Sequence, residues 1–196
     1  MHEDEELARQ GNLVLRAMRA EDLSLMARWR DEPHVRRWWG MDDDPASWTV
    51  EEVRREFGPL LTSAEPTTPA IIVVGDRPVG YLQWYRWVDY LEEAREMGVP
   101  DDGASFGVDI FVGEPDMIGA GVGSRAIDLL CTTLFADHGA SSVALLTAVG
   151  NEQAQRAYEK AGLRKVRRAL DTDVKDGRRV ESWLMVREKA TPTPDV

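Results

Sequence analysis

Gly113-Glu114-Pro115-Asp116-Met117-Ile118-Gly119-Ala120-Gly121-Val122-Gly123-Ser124-Arg125 is the most informative stretch of this chain. The run before it, Ser105 to Val112, reads as a strand. The run after it, Gly121 to Ala136, carries Val122, Ala126, Leu129, Leu130 and Phe135 at helical spacing. Gly119, Gly121 and Gly123 stand at alternate positions, so the backbone can turn sharply with no β-carbon blocking close approach. Unpaired N–H groups and the positive end of the helix dipole then face outward, which favours a bound phosphate. A dinucleotide fingerprint needs a full GxGxxG after a first strand; here the third spacing fails and the segment lies past the midpoint. A Walker loop needs Gly-Lys-Ser/Thr, and this stretch has no lysine. The remaining alternative is a turn that simply requires glycine, and only the flanking sequence can decide between the two.

Working outward, a strand at Ser142–Leu146 and a helix at Asn151–Ala161 follow, then two strands flanking Asp176-Gly177. Towards the N-terminus, Ala70–Val74 and Val79–Val88 are apolar runs joined by Gly75-Asp76-Arg77-Pro78, a hairpin turn. Thr49 with Glu52 forms a capping box that opens a helix through Phe57 or beyond, and Pro66 and Pro69 end that region. Asp22–Arg30 has a helical apolar face, and Leu13–Met18 alternates like a half-buried strand. These elements predict an α/β (α+β) fold, a mixed central sheet of about six to seven strands flanked by helices. One domain over 13–188 is expected, with a flexible N-terminus at 1–12 and a flexible tail at 189–196.

The formal net charge is −11, a field that repels nucleic acid and anionic membranes and attracts cations. No apolar run approaches the roughly 20 residues that span a bilayer. The N-terminus is acidic where a secretory signal is basic and then apolar, and the single Cys131 sits in an apolar helical stretch, so a cytoplasmic location is expected. His2, His34 and His138 are too scattered to form a metal set.

The flanks decide the reading of the glycine turn. Strand, glycine-rich loop, long helix, strand and a helix ending Ala157-Tyr158-Glu159-Lys160-Ala161-Gly162-Leu163 resemble the core of the GNAT N-acetyltransferases. Within them, Gly107-Val108-Asp109-Ile110-Phe111-Val112-Gly113-Glu114-Pro115, His34…Trp38-Trp39-Gly40 and Gly80-Tyr81-Leu82-Gln83-Trp84-Tyr85 are similar to the aminoglycoside 6′-N-acetyltransferases. The similarity runs in register from about Leu13 to Arg187. It implies acetyl-CoA as acetyl donor, with the pyrophosphate on Gly119, Ala120, Gly121, Val122, Gly123 and Ser124 and Ile118 also binding the cofactor. The pantetheine arm would lie along Ile110, Phe111 and Val112, with Asn151 also on the donor side. Two departures stand out. Ile118 occupies a position where many members carry Gln or Arg, and Leu146-Thr147 replace an Asp-Pro pair that helps the aminoglycoside group hold ammonium groups.

The same resemblance gives Asp109 the role of base or ammonium anchor and Tyr158 that of general acid to the departing thiolate. An aspartate between Val108 and Ile110 on a central strand is costly to bury unpaired, so a cationic partner is a natural explanation; backbone donors or an arginine are the other. Tyr158 can donate while neutral, or can merely pack its helix on the sheet. Trp38 and Trp39 offer flat walls for sugars and ammonium groups, one of the two being expected to serve the core. Gln83 and Tyr85 alternate on one face of their strand, so both can point into a cleft with Trp84 facing the other way, and Tyr81 is expected with them among the residues touching the acceptor. Glu92 and Glu93 belong to an acid-rich excursion, Asp89 to Gly103, that is either a solvated loop or a lid for polyamines. The expected activity is acetylation of a cationic small-molecule amine, foremost the 6′-amine of an aminoglycoside, by a monomer or homodimer. A polyamine, siderophore lysine or amino sugar is the second acceptor class, and a non-catalytic CoA-binding domain is the third reading.

Overall fold

Leu13 and Leu15 turn to one side of their strand and Val14 to the other, and both sides are buried. The same holds for Ala70 and Ile72 against Ile71 and Val73, so the sheet must be covered by helices on both faces. The computed structural model describes residues 5–39, 48–62, 64–100, 102–172 and 179–190. In chain order the elements are β1 (Glu6–Gln10), β2 (Leu13–Ala17), α1 (Leu23–Arg30), α2 (Pro33–Arg36), α3 (Val50–Leu61), β3 (Thr67–Val74), β4 (Arg77–Arg86), α4 (Leu91–Met97), β5 (Ser105–Val112), α5 (Val122–Asp137), β6 (Ser142–Ala148), α6 (Glu152–Lys160), β7 (Arg164–Thr172) and β8 (Arg179–Glu188).

The strands form one eight-stranded sheet in the order β1-β2-β3-β4-β5-β6-β8-β7. Every neighbouring pair is antiparallel except β5 and β6, which are parallel and joined through α5. Helix α5 buries Ala126, Ile127, Leu130 and Leu134 against Leu15, Ile72, Leu82 and Val108 on one face. On the other face α1 and α3 bring Leu23, Met26, Val53 and Phe57 against Ile71, Tyr81 and Phe111. At about 25 cal/mol per Å² of apolar surface, these two layers supply the main drive for folding. No helix of the described residues is long and apolar enough to cross a membrane.

The sheet exceeds the expected six to seven strands because the N-terminal segment, expected to be flexible over 1–12, contributes β1. Its Leu7 and Ala8 pack on the core, and Gly11 (φ 61°) makes the turn into β2. Two apolar residues among polar neighbours gave no alternating signal. Strand β3 begins at Thr67, so Pro69 lies inside it rather than ending the region before. Its carbonyl accepts from Met18 N–H just beyond the last β2 pair, where a missing proline N–H costs no ladder bond. The excursion after β4 is largely helical: α4 ends at Gly98 (φ 61°), and Trp87, Ala94 and Val99 pack on Ala144 and Leu184. Residues 191–196 of the expected tail and the Asp176-Gly177 turn lie outside the described residues; Lys189 is anchored, its N–H bonded to the Ser141 carbonyl at 2.8 Å.

Candidate active site

Strands β5 and β6 begin together and then part. Their parallel pairing comprises Ser105↔Ser142, Phe106↔Val143 and Gly107↔Ala144, pinned by a buried hydroxyl contact of 2.9 Å between Ser105 and Ser142. Beyond it, Val108–Val112 stays paired only with β4 on its other side. The divergence leaves backbone groups of a central strand facing space, the condition under which an extended ligand can add to a sheet edge. A cleft of about 1400 Å³ opens there, lined from both strands, the loop before α5, α6, the end of α2 and α4.

The glycine loop forms one end of this cleft. Gly119 (φ 78°) and Gly121 (φ 79°) adopt left-handed conformations, and Gly121 caps α5. The first intrahelical bond runs from Arg125 N–H to the Gly121 carbonyl at 3.1 Å, so the amides of Val122, Gly123 and Ser124 have no acceptor within the helix. A Cβ at Gly119 would meet nothing within 4 Å, and at Gly121 or Gly123 only side-chain atoms at 3.9 and 3.8 Å. The space is open, bounded by amides and free of carboxylates on the loop's own wall: it fits a pyrophosphate. Ile118, Gly119, Gly121, Gly123 and Ser124 line the cleft. Val122 also lines it but buries its side chain in the core, and Ala120 is exposed away from the wall, a departure from the expected set.

What fixes this loop was not anticipated. Buried Glu114 takes hydrogen bonds from Trp29 Nε1 (2.8 Å), Arg77 (2.6 Å) and Arg28, tying the segment to α1 and to the β3–β4 turn. Desolvation works against its carboxylate, but the bonds from Arg28, Trp29 and Arg77 outweigh it and pull the pKa down to about 2. Gly113 beside it is required because a Cβ would stand 2.2 Å from the Trp29 ring.

Register places the other end. Gln83 lies directly opposite Asp109, Tyr81 opposite Phe111 and Tyr85 opposite Gly107, so one face of β4–β5 carries all six. Gln83 Nε2 donates to Asp109 Oδ2 at 2.8 Å, and the Tyr81 hydroxyl donates to Gln83 Oε1 at 2.6 Å. Tyr85 covers Gly107, where a Cβ would come within 2.3 Å of its ring. Tyr81, expected among residues touching the acceptor, is fully buried beneath Trp39, Phe57 and Phe111 and is absent from the cleft wall. Gln83, Tyr85 and Asp109 do line the cleft, and Trp84 faces the opposite core.

Both tryptophans line the cleft, and Trp39, half-buried, also packs on the core. Trp38 is exposed over the cleft, with Arg37 stacked 4.8 Å from its ring, while Trp39 packs edge-on against Phe111 at 4.9 Å. His34 meets the Val112 carbonyl at 2.9 Å through Nε2, so one strand acceptor near Ile110–Val112 already has a partner. Half-buried Tyr158 projects from α6 into the cleft, and Asn151 caps that helix, its side chain accepting from Ala154 N–H at 3.2 Å. Burial, and then the charge of Asp109, hold the Tyr158 hydroxyl well above the ordinary tyrosine range. Glu93 lines the cleft but Glu92 points to solvent, being one residue off the inward face of α4; Glu96, one turn on, lines it instead. Glu65 joins them, and among the described residues Glu65, Glu93 and Glu96 have no side-chain ion pair or hydrogen bond. Leu146 is on the wall, where no carboxylate replaces it on β6; Glu181 of β8 lies on the wall too, bound to Arg168 at 2.9 Å.

Known proteins resemble the chain along most of its length. The Acetyltransferase (GNAT) domain family matches residues 19–170. Aminoglycoside N(6′)-acetyltransferase type 1 of Klebsiella pneumoniae is 28% identical over 158 residues, 79% of this chain and 75% of that protein, as is its counterpart from Serratia marcescens. The structure of AAC(6′)-Ib in complex with ribostamycin and coenzyme A is 25% identical, with a TM-score of 0.72, covering 91% of this chain and 94% of that one. Spermidine N-acetyltransferase from Vibrio cholerae, in complex with CoA and spermine, is 16% identical with a TM-score of 0.69 over 91% of this chain and 96% of that one, a likeness of fold alone. The splayed central strands, the glycine cradle and these matches together make the chain a member of the GNAT acetyltransferase family, an enzyme that takes its acetyl group from acetyl-CoA.

Proposed function

We propose that the protein transfers the acetyl group to a primary amine of a polycationic amino sugar, the 6′-amine of an aminoglycoside, and so confers resistance from the cytoplasm. The observation that carries this reading is that the carboxylates Glu65, Glu93 and Glu96, without side-chain partners among the described residues, line the same cleft as Asp109 and the exposed Trp38. Ammonium groups on a sugar scaffold complement such a wall, and aromatic faces suit both sugars and cations.

Acetyl-CoA, when bound, supplies an activated acetyl thioester. The amides of Gly119–Ser124 hold its pyrophosphate and the edge of Ile110–Val112 aligns its pantetheine arm. Asp109 accepts a proton from the acceptor ammonium, exposing the nitrogen lone pair that bonds to the acetyl carbon. Tyr158, kept neutral by burial, gives its proton to sulfur as the carbon–sulfur bond breaks, and the second proton that the nitrogen loses as the amide forms restores the phenol through solvent in the open cleft.

Release of CoA measured across kanamycin-type aminoglycosides, spermidine and lysine derivatives tests the acceptor. Turnover of 6′-amino compounds and not of their 6′-hydroxy analogues is expected; turnover of a lysine derivative alone would overturn the assignment. A polyamine acceptor is the second reading, favoured by Leu146, because the wall of β6 offers no carboxylate to orient a rigid sugar.

A further inference from the structure

We infer that Tyr81 and Gln83 form a positioning relay that aims the carboxylate of Asp109, with Tyr81 acting only through the orientation of the Gln83 side-chain amide. The inference rests on the role proposed above for Asp109.

A carboxamide has two ends of similar size and opposite hydrogen-bonding sense. Turned one way, Gln83 presents N–H to Asp109; turned the other, it presents a carbonyl oxygen to a carboxylate, which repels. The Tyr81 hydroxyl breaks this near-symmetry. It donates to Gln83 Oε1 at 2.6 Å, which leaves Nε2 to donate to Asp109 Oδ2 at 2.8 Å. Tyr81 itself has little freedom. Its ring is fully buried, with centroids of Phe57 and Phe111 at 5.4 and 5.6 Å and Trp39 edge-on at 6.2 Å. Burial foremost, then the charges of Asp109 and Glu56, hold its hydroxyl well above the ordinary tyrosine range, so it remains a donor throughout the working pH. The three side chains sit on successive same-face positions of β4 and the paired position of β5, so backbone register sets their spacing. A rigid aromatic block at one end thus fixes a carboxylate oxygen at the other, inside the cleft.

Two substitutions and their combination test this. Tyr81→Phe keeps the packed ring and deletes the hydroxyl; Gln83→Met keeps the length and deletes both bonds. Each single change is expected to lower kcat about tenfold, the scale of one hydrogen bond to a charged group, with acetyl-CoA KM unchanged. The double variant is expected to match Gln83→Met alone, since Tyr81 has nothing left to orient. Wild-type kcat in Tyr81→Phe, or effects of the two changes that multiply, would overturn the relay. Should Tyr81→Phe fail to fold, Gln83→Met decides alone: unchanged kcat overturns the relay. Asp109→Asn, measured alongside, separates the premises: if it keeps full activity the role of Asp109 is wrong, and if it is inactive while Gln83→Met is unaffected only the relay fails.

Discussion

Asp109 and Tyr158 face the same cleft from different elements, one on β5 and the other on α6. Their proposed roles differ in what their loss should do. Asp109→Asn removes the proton acceptor, and kcat is expected to fall by roughly a hundredfold or more. Tyr158→Phe keeps the ring packed on the core and is expected to lower kcat about tenfold or more with acetyl-CoA KM unchanged, because only the leaving sulfur needs the phenol. The raised pKa of Tyr158 has a definite sign: the protonated form, which is the donor, persists as pH rises past the ordinary tyrosine value of about 10. A kcat–pH profile should therefore show no loss attributable to Tyr158 up to about pH 10, and Tyr158→Phe should leave the shape of the basic limb unchanged.

The loop from Gly113 to Gly121 shows how an element is built for a ligand. Gly123 is not among the glycines of positive φ, and a Cβ there would meet only the Val112 side chain, at 3.8 Å, so Gly123→Val adds bulk at the cradle without the backbone strain that Gly121→Val would add. Loss of acetyl-CoA binding with little change in melting temperature is expected, measured by calorimetric titration and thermal unfolding. Glu114 holds the same loop from behind. Its folded pKa of about 2 lies below the ordinary carboxylate value, so its contribution to stability is complete above about pH 4.5 and declines as pH falls towards 2. Denaturant unfolding at pH 7 and pH 3 should give a smaller acid loss in Glu114→Gln than in wild type, because that variant has already lost the ionised carboxylate. An equal loss would show that Glu114 is no part of the acid transition.

For the whole molecule the net charge of −11 and the carboxylates of the cleft act together on a cationic acceptor. The Debye length is about 8 Å at physiological ionic strength, so added salt should raise the acceptor KM of a multiply charged amine far more than that of a singly charged one. Replacing Glu93 and Glu96 by Gln should flatten that dependence. Replacing Glu92, which faces solvent off the cleft, should not.

The glycine turn, the capping box at Thr49, the alternation in β2 and β4 and the helical face of α5 were legible because each is a local pattern, set by residues a few positions apart. The same holds for the separation of Trp84 from Gln83 and Tyr85, which follows from the two-residue period of a strand. Strand β1 was not legible, since two apolar residues gain meaning only once β2 and the core are beside them. Nor was the burial of Tyr81, which depends on rings from α3 and from the end of α2 closing over one end of the β4–β5 face. Glu65, Glu96 and Glu181 reach one cleft from the loop before β3, from α4 and from β8, and their sequence separation leaves no periodic trace. The sequence by itself determined the element types outside β1 and α4, the cradle and the candidates Asp109 and Tyr158, because these rest on local sterics, hydrogen bonding and a family pattern. Only the tertiary structure decided which aromatics wall the cleft, which acids face it and what holds the Asp109 carboxylate, because those depend on the parting of β5 from β6 and on cross-strand register.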